Sequence, residues 1–236
     1  MRRIIGHLCL GGLAALVCTA TVAAQSMNNP HCALGNEGFA VSAEWDQNNR
    51  SLELDYDSDV TANWYGLKGT YGVYDWLDLS GFAGAADFDI WRKRGDYETE
   101  HLCLGLGGGM RVQALADEKR NMWVILTGAG THAKSDALVG TRAPSALTWN
   151  EFQASLSLAK QFDFALPYVG VTYSVIDGQM GIDGREVEFT DPGSLFFAGI
   201  DFILPDQYVL TLQGDARIGG TGHEISFTLG LSQRSR

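Results

Sequence analysis

From residue 38 onward, apolar and polar residues alternate with a period of two, the spacing of a β-strand whose two faces meet different surroundings. The clearest segments are 64–74, 101–114, 148–161, 167–175 and 223–232. In 148–161, Phe152, Ala154, Leu156 and Leu158 alternate with Glu151, Gln153, Ser155 and Ser157. In 223–232, Ile225, Phe227, Leu229 and Leu231 alternate with Glu224, Ser226, Thr228 and Gly230. Weaker versions occupy 39–46, 77–86, 122–131, 195–204 and 207–217. No helical period is sustained, and no apolar run reaches the roughly 18 residues of a membrane-spanning helix. The pattern predicts an all-β fold of about ten antiparallel strands, with eight as the alternative count. Segment 51–57 is expected to extend the first hairpin rather than to add a span.

The connections alternate in length. Those at 74–77, 117–121, 162–165 and 204–207 are short, whereas 47–60, 87–100, 132–147 and 177–194 are longer and polar. Only the Gly-rich 218–222 is short on the second side. Short turns at one end and long loops at the other describe a transmembrane barrel.

A soluble sandwich or lipocalin-like barrel would also alternate, with its apolar face inward. A membrane barrel inverts the faces: apolar side chains meet lipid, and small or polar ones meet the lumen. Three features favour inversion. The polar face carries Gly66, Gly105, Gly107, Gly109, Gly170 and Gly199, which suits a narrow interior. Aromatic residues gather near strand ends: Trp45, Trp64, Trp91 and Trp149 toward the long loops, and Tyr74, Trp76, Trp123, Phe162, Tyr168 and Tyr208 toward the short turns. These are expected to form two interfacial girdles. The third feature is a secretory leader. Arg2 and Arg3 precede an apolar run from Ile4 to Val17, and Val22-Ala23-Ala24 offers small residues for cleavage before Gln25. A membrane anchor, or a lipoprotein modified at Cys18, fits the segment less well. The expected organisation is a signal peptide at 1–24, a periplasmic segment at 25–37, the barrel at 38–232 and a tail at 233–236.

Composition narrows the function classes. The 236 residues include 29 Gly but only 5 Pro, so the glycine is not linker. Lys and Arg number 17 against 28 Asp and Glu, a net charge of −11. A nucleic-acid partner is excluded on that charge, because phosphate binding needs a basic face. Cys32 lies before the first strand and Cys103 inside a later one, and two unbridged thiols are expected.

The run Tyr71-Gly72-Val73-Tyr74-Asp75-Trp76-Leu77-Asp78-Leu79, followed by Gly81 and Gly84, resembles the strand–turn–strand pattern of bacterial outer-membrane barrels of the OmpA-like and small-porin groups. The resemblance extends over about 38–232 as a pattern. It implies residence in a Gram-negative outer membrane, contact with its lipids and with the barrel-assembly machinery, a monomeric state, and no cofactor. Such proteins usually end in an aromatic residue. Here the last strand closes in Ser232-Gln233-Arg234-Ser235-Arg236, a departure that bears on insertion more than on fold.

The candidate site is a lumenal charge network. Glu44, Lys68, Arg111, Glu151, Asp201, Asp215, Arg217 and Glu224 fall on the small, polar face. Buried charges must be paired, so five acids and three bases imply a salt-bridged interior with surplus negative charge. Its functional version is a narrow, cation-preferring path; its bland version is structural pairing. A rim-active enzyme is the rival class. Asp87 and Asp89, with His132, His223 and Glu224, are expected at the loop end, where omptin-like proteases carry an Asp pair and an Asp/His pair. The chain has Asp-Phe-Asp but no Asp-X-His, and no Ser lies in a nucleophile elbow. Gly105-Leu106-Gly107-Gly108-Gly109 lacks the Lys and Ser/Thr of a phosphate loop. The scattered His residues give no metal pattern. A third class is adhesin-like binding by the acidic loops.

Overall fold

The computed structural model describes residues 34, 37–53, 57–92, 97–99, 102–135, 138–139, 146–182, 185–218 and 225–235. Ten long strands form one closed antiparallel barrel: β1 (Phe39–Glu53), β2 (Asp57–Tyr74), β3 (Leu77–Arg92), β5 (Cys103–Asp117), β6 (Met122–Ser135), β8 (Leu147–Lys160), β9 (Ala165–Ile182), β10 (Arg185–Ile203), β11 (Tyr208–Arg217) and β12 (Ile225–Ser235). Two short strands, β4 (Tyr97–Thr99) and β7 (Leu138–Val139), pair with each other on the long-loop side, and β4 also pairs with β3. β1 closes the ring against β12, from Phe39 opposite Ser235 to Asn49 opposite Ile225. Closure leaves no sheet edge to meet hydrocarbon, where an unpaired backbone group has no partner.

The register fixes the barrel's dimensions. A row of facing residues leaves β9 at Leu166 and passes through Asp201, Thr211, Gly230, Glu44, Gly66, Gly84, Gly105, Ala133 and Trp149. It returns to β9 at Gly178, twelve residues beyond Leu166. With ten strands, that shear gives a tilt of about 40° and a backbone radius of about 10 Å from standard strand spacings. Such an interior is narrow enough for side chains to fill.

The faces are inverted relative to a soluble barrel. On β8, Phe152, Leu156 and Leu158 are 61%, 46% and 43% exposed, while Glu151, Ser155 and Ser157 are buried. Leu156→Arg should therefore cost about 2–4 kcal/mol, the penalty for a charge on the lipid face near the bilayer midplane. Leu156→Phe should be tolerated. Urea unfolding of barrels refolded into phospholipid vesicles measures both; equal stability of the two would contradict the assigned lipid face.

Two loop expectations are corrected. Segments 47–60 and 177–194 are largely strand: β1 and β2 pair as far as Glu53 opposite Asp57, in line with the expected extension of the first hairpin over 51–57, of which 54–56 lie outside the described residues, and β9 and β10 pair as far as Ile182 opposite Arg185. Runs such as Gln47-Asn48-Asn49 are polar on both faces, so the pairing leaves no hydropathy signal. The four short turns fall where expected. At one of them Tyr74 and Trp76 stack at 5.5 Å, both exposed, as interfacial aromatics do. Three other girdle assignments are corrected: Trp64, Trp149 and Tyr168 are buried and face inward. Strand phase governs them, since each is in step with an inward neighbour (Gly66, Glu151 and Gly170). The side chain of Trp91 lies outside the described residues.

The interior glycines are seats for these rings. A Cβ at Gly105 would meet the Trp64 ring at 2.8 Å, one at Gly199 the Tyr168 ring at 2.4 Å, and one at Gly170 the Phe197 ring at 2.4 Å. Gly105→Ala should cost about 1–3 kcal/mol as overpacking. Gly81→Ala, on the lipid side with nothing within 4 Å, should be close to neutral in the same unfolding assay.

Candidate functional site: the charged interior

Two apolar clusters occupy the interior. The larger includes Trp64, Phe88, Ile90, Leu147, Trp149, Ile176, Met180 and Phe189, with Cys103 among them. Its rings are in mutual contact: Phe88 lies 5.9 Å from Trp64 and 5.3 Å from Trp149, and Trp149 lies 6.0 Å from Phe189. The smaller gathers Ile125, Ala159, Leu166, Tyr168 and Phe197 nearer the short turns. Cys32 lies outside the described residues.

Neither cluster takes a buried member from β1, β11 or β12. The inward faces of those adjacent strands form a polar wall. On β1 they present Ser42, Glu44, Asp46 and Asn48, all buried. Asp46 sits opposite Thr228 of β12, and Thr228 opposite Gln213 of β11. Local phase explains the wall, since four successive inward positions of β1 are polar while the outward ones are Val41, Ala43, Trp45 and Gln47.

The bases are committed to specific acids. Lys68 Nζ lies 2.6 Å from Glu44 Oε1, which also accepts from Ser42 Oγ at 2.7 Å. Arg111 Nε donates to Asp78 Oδ2 at 2.8 Å, and its Nη2 reaches the same oxygen. Asp78 also accepts from the backbone N–H of Leu34 at 3.2 Å. Arg217 makes a two-pronged contact with Asp191, Nη2 to Oδ1 at 3.0 Å and Nη1 to Oδ2 at 3.3 Å. Three more of the sequence-derived acids accept from neutral donors. Glu151 accepts from Ser174 at 2.7 Å and Gln153 at 2.9 Å, Asp201 from Thr211 at 2.7 Å, and Asp215 from Gln213 at 2.9 Å. Tyr168 donates to Gln213 at 3.0 Å and lies within electrostatic reach of Asp201, Asp215 and Glu44.

The three ion pairs bridge three different strand pairs, β1–β2, β3–β5 and β10–β11. Glu224 lies outside the described residues. Three acids were missed from the sequence: Asp46, Asp78 and Asp191. Strand phase marks the first two, since Asp46 is in step with Glu44 and Asp78 with Ser80 and Phe82. Asp191 fell in a segment read as loop. Inward acids Glu44, Asp46, Asp78, Glu151, Asp191, Asp201 and Asp215 exceed the bases Lys68, Arg111 and Arg217 by four among the described residues.

The described rim residues sit on separate strands, His132 on β6 and Asp87 and Asp89 on β3. His132 faces outward, its Nδ1 2.8 Å from Asn150 Oδ1. Asn150 Nδ2 donates to the Asp177 carbonyl at 3.2 Å, and Thr190 Oγ1 donates to Asp177 Oδ1 at 3.0 Å. This outward polar row crosses β6, β8, β9 and β10 and marks the upper edge of the apolar band. Asp87 and Asp89 lie in step on β3 with the outward Ala83 and Ala85, near Tyr65. His223 lies outside the described residues. Among the described residues, no three His, Cys, Asp or Glu side chains are grouped to hold a metal ion.

No family model matches the chain, and no curated protein matches it. Solved structures do. The translocator domain of the autotransporter NalP from Neisseria meningitidis aligns over 98% of this chain and 97% of its own, at 10% identity and a TM-score of 0.55. The β-domain of the Bordetella autotransporter BrkA covers 84% and 99%, at 12% identity and a TM-score of 0.48. Ail of Yersinia pestis covers 85% and 99%, at 10% identity and a TM-score of 0.44. The NalP likeness is one of fold, and with the inverted faces and the closed ring it leads to one conclusion: the chain has the fold of a bacterial outer-membrane β-barrel.

Proposed function

We propose that the chain is an integral outer-membrane protein of a Gram-negative bacterium, inserted as a monomer, with a structural, non-enzymatic role and a lumen closed to solutes. The observation that carries this reading is the interior cluster built on Trp64, Phe88, Trp149 and Phe189, each at most 5% exposed. It fills the loop-side half of a narrow barrel. Beside and below it, Lys68, Arg111 and Arg217 are each paired with an acid. A membrane fraction containing a band whose gel mobility changes on heating, together with silence in planar bilayers, is the expected result. Recovery as a soluble periplasmic protein would remove the membrane assignment. Large, long-lived conductance steps would remove the closed lumen.

One observation favours a second reading, a narrow cation path. The polar wall on β11, β12 and β1 is continuous in register, and the interior carries an excess of acid. Small, cation-selective currents in place of silence would favour it.

A further inference from the structure

Gly230 differs from the interior glycines that seat rings. It lies on the inward face of β12, buried, opposite Glu44 of β1 and Thr211 of β11. A Cβ there would meet Thr211 Cβ at 3.5 Å and Glu44 Cγ at 3.6 Å, which are ordinary contact distances. The backbone is regular strand, so neither crowding nor conformation requires glycine at this position. The groups that border it are committed as acceptors. Thr211 Oγ1 donates its proton to Asp201 at 2.7 Å, and Thr228 Oγ1, one inward position toward the loops, donates weakly to Asp46 at 3.5 Å. Each hydroxyl then keeps only lone pairs. Glu44 is held through Oε1, by Lys68 at 2.6 Å and Ser42 at 2.7 Å. Its Oε2 has no hydrogen-bond partner among the described residues, nor has Ser232 Oγ, one inward position toward the turns. Both residues are buried, at 3% and 4% exposure.

We propose that Gly230 floors a binding site for one hard divalent cation, Ca²⁺, within the polar wall. Oxygen is the donor element on offer: a carboxylate from Glu44 and hydroxyls from Thr211, Thr228 and Ser232. That is the donor class of Ca²⁺ rather than of zinc or copper. Asp201 and Asp46 stand behind the Thr211 and Thr228 hydroxyls and polarise them toward the ion. Ca²⁺ accepts about six to eight oxygens in irregular geometry, whereas Mg²⁺ demands a near-ideal octahedron that oxygens carried on three twisted strands do not impose. A buried oxygen left without a partner carries a standing desolvation cost, and a cation shared by Glu44 Oε2 and Ser232 Oγ removes it at both.

The test compares the full chain refolded in a zwitterionic detergent, free of lipopolysaccharide, either with a chelator or with Ca²⁺ at about 10 mM, above the constants of about 0.1–1 mM of weak oxygen sites. The ion is supplied during refolding because the ring cluster covers the loop-side half of the lumen. Ca²⁺ should raise the unfolding midpoint by about 5 °C. Equilibrium dialysis should find one more Ca²⁺ per chain in wild type than in Gly230→Ala. That variant sets a methyl on the floor of the site without crowding, so it should match wild type in chelator and lose the Ca²⁺ shift. Ser232→Ala deletes an unpartnered hydroxyl and should behave in the same way, which keeps the test decisive should the added methyl impair folding. Glu188→Gln, at an exposed acid of β10, should keep the full shift. Equal midpoints in Ca²⁺ and chelator, as a bound water in place of the ion would give, would overturn the proposal. So would an equal shift from Mg²⁺ or from NaCl at matched ionic strength, a shift retained in both β12 variants, or one lost in Glu188→Gln.

Discussion

Arg111→Ala should destabilise the barrel by about 3–5 kcal/mol, the usual cost of removing one partner from a buried ion pair. Asp78 is 1% exposed, and the guanidinium is its charged partner. What remains is the Leu34 N–H, which cannot neutralise a carboxylate inside a low-dielectric wall. The loss should be largely recovered by pairing Arg111→Met with Asp78→Leu, because replacing both partners removes the desolvation cost along with the attraction. Urea unfolding in detergent micelles measures both proteins. A single variant as stable as wild type would mean that water reaches Asp78. A double variant as unstable as the single one would mean that shape, not charge, is what the pair supplies. The assignment is specific to this pair: Asp78 is not among the five lumenal acids inferred from the sequence.

Much of this architecture is legible in the sequence because a membrane barrel imposes a two-residue code wherever lipid covers one face. Leu156 and Ser155 are adjacent and separate cleanly, one outward and one buried. The code fails where both faces are polar. Beyond the bilayer, Asn48 to Arg50 pair as regular strand with no apolar rhythm, and in 177–194 the rhythm is reversed, with Met180 and Phe189 inward between exposed polar residues, so that segment read as loop and Asp191 was lost with it. It fails again where the interior is apolar. Trp64 and Trp149 look like interfacial aromatics by type, and only their phase relative to Gly66 and Glu151 sends them inward. Partner choice lies deeper still. Lys68 to Glu44 crosses one strand pair and Arg111 to Asp78 another, and which acid lies within reach depends on register. Register is set by closure with a shear of twelve, a property of the whole ring that no local segment carries.

The closed lumen makes its own prediction at Phe88. This side chain is 0% exposed and bridges the Trp64 and Trp149 rings. Phe88→Ala should cost about 3–5 kcal/mol, combining lost transfer energy with the cavity left behind. The surrounding rings are held by strand backbones in a closed ring, so collapse into the space is limited. The cavity should join the loop-side end to the polar wall, whose excess carboxylates favour cations over anions. Phe88→Ala is therefore expected to show both a lowered unfolding midpoint and small cation-selective currents absent from wild type. Phe88→Leu, which keeps most of the volume, should restore silence and most of the stability. Currents in wild type and variant alike would place the conduction path elsewhere. A destabilised but silent Phe88→Ala would show that the seal is the paired charge layer beneath, with Lys68–Glu44 as the next position to open.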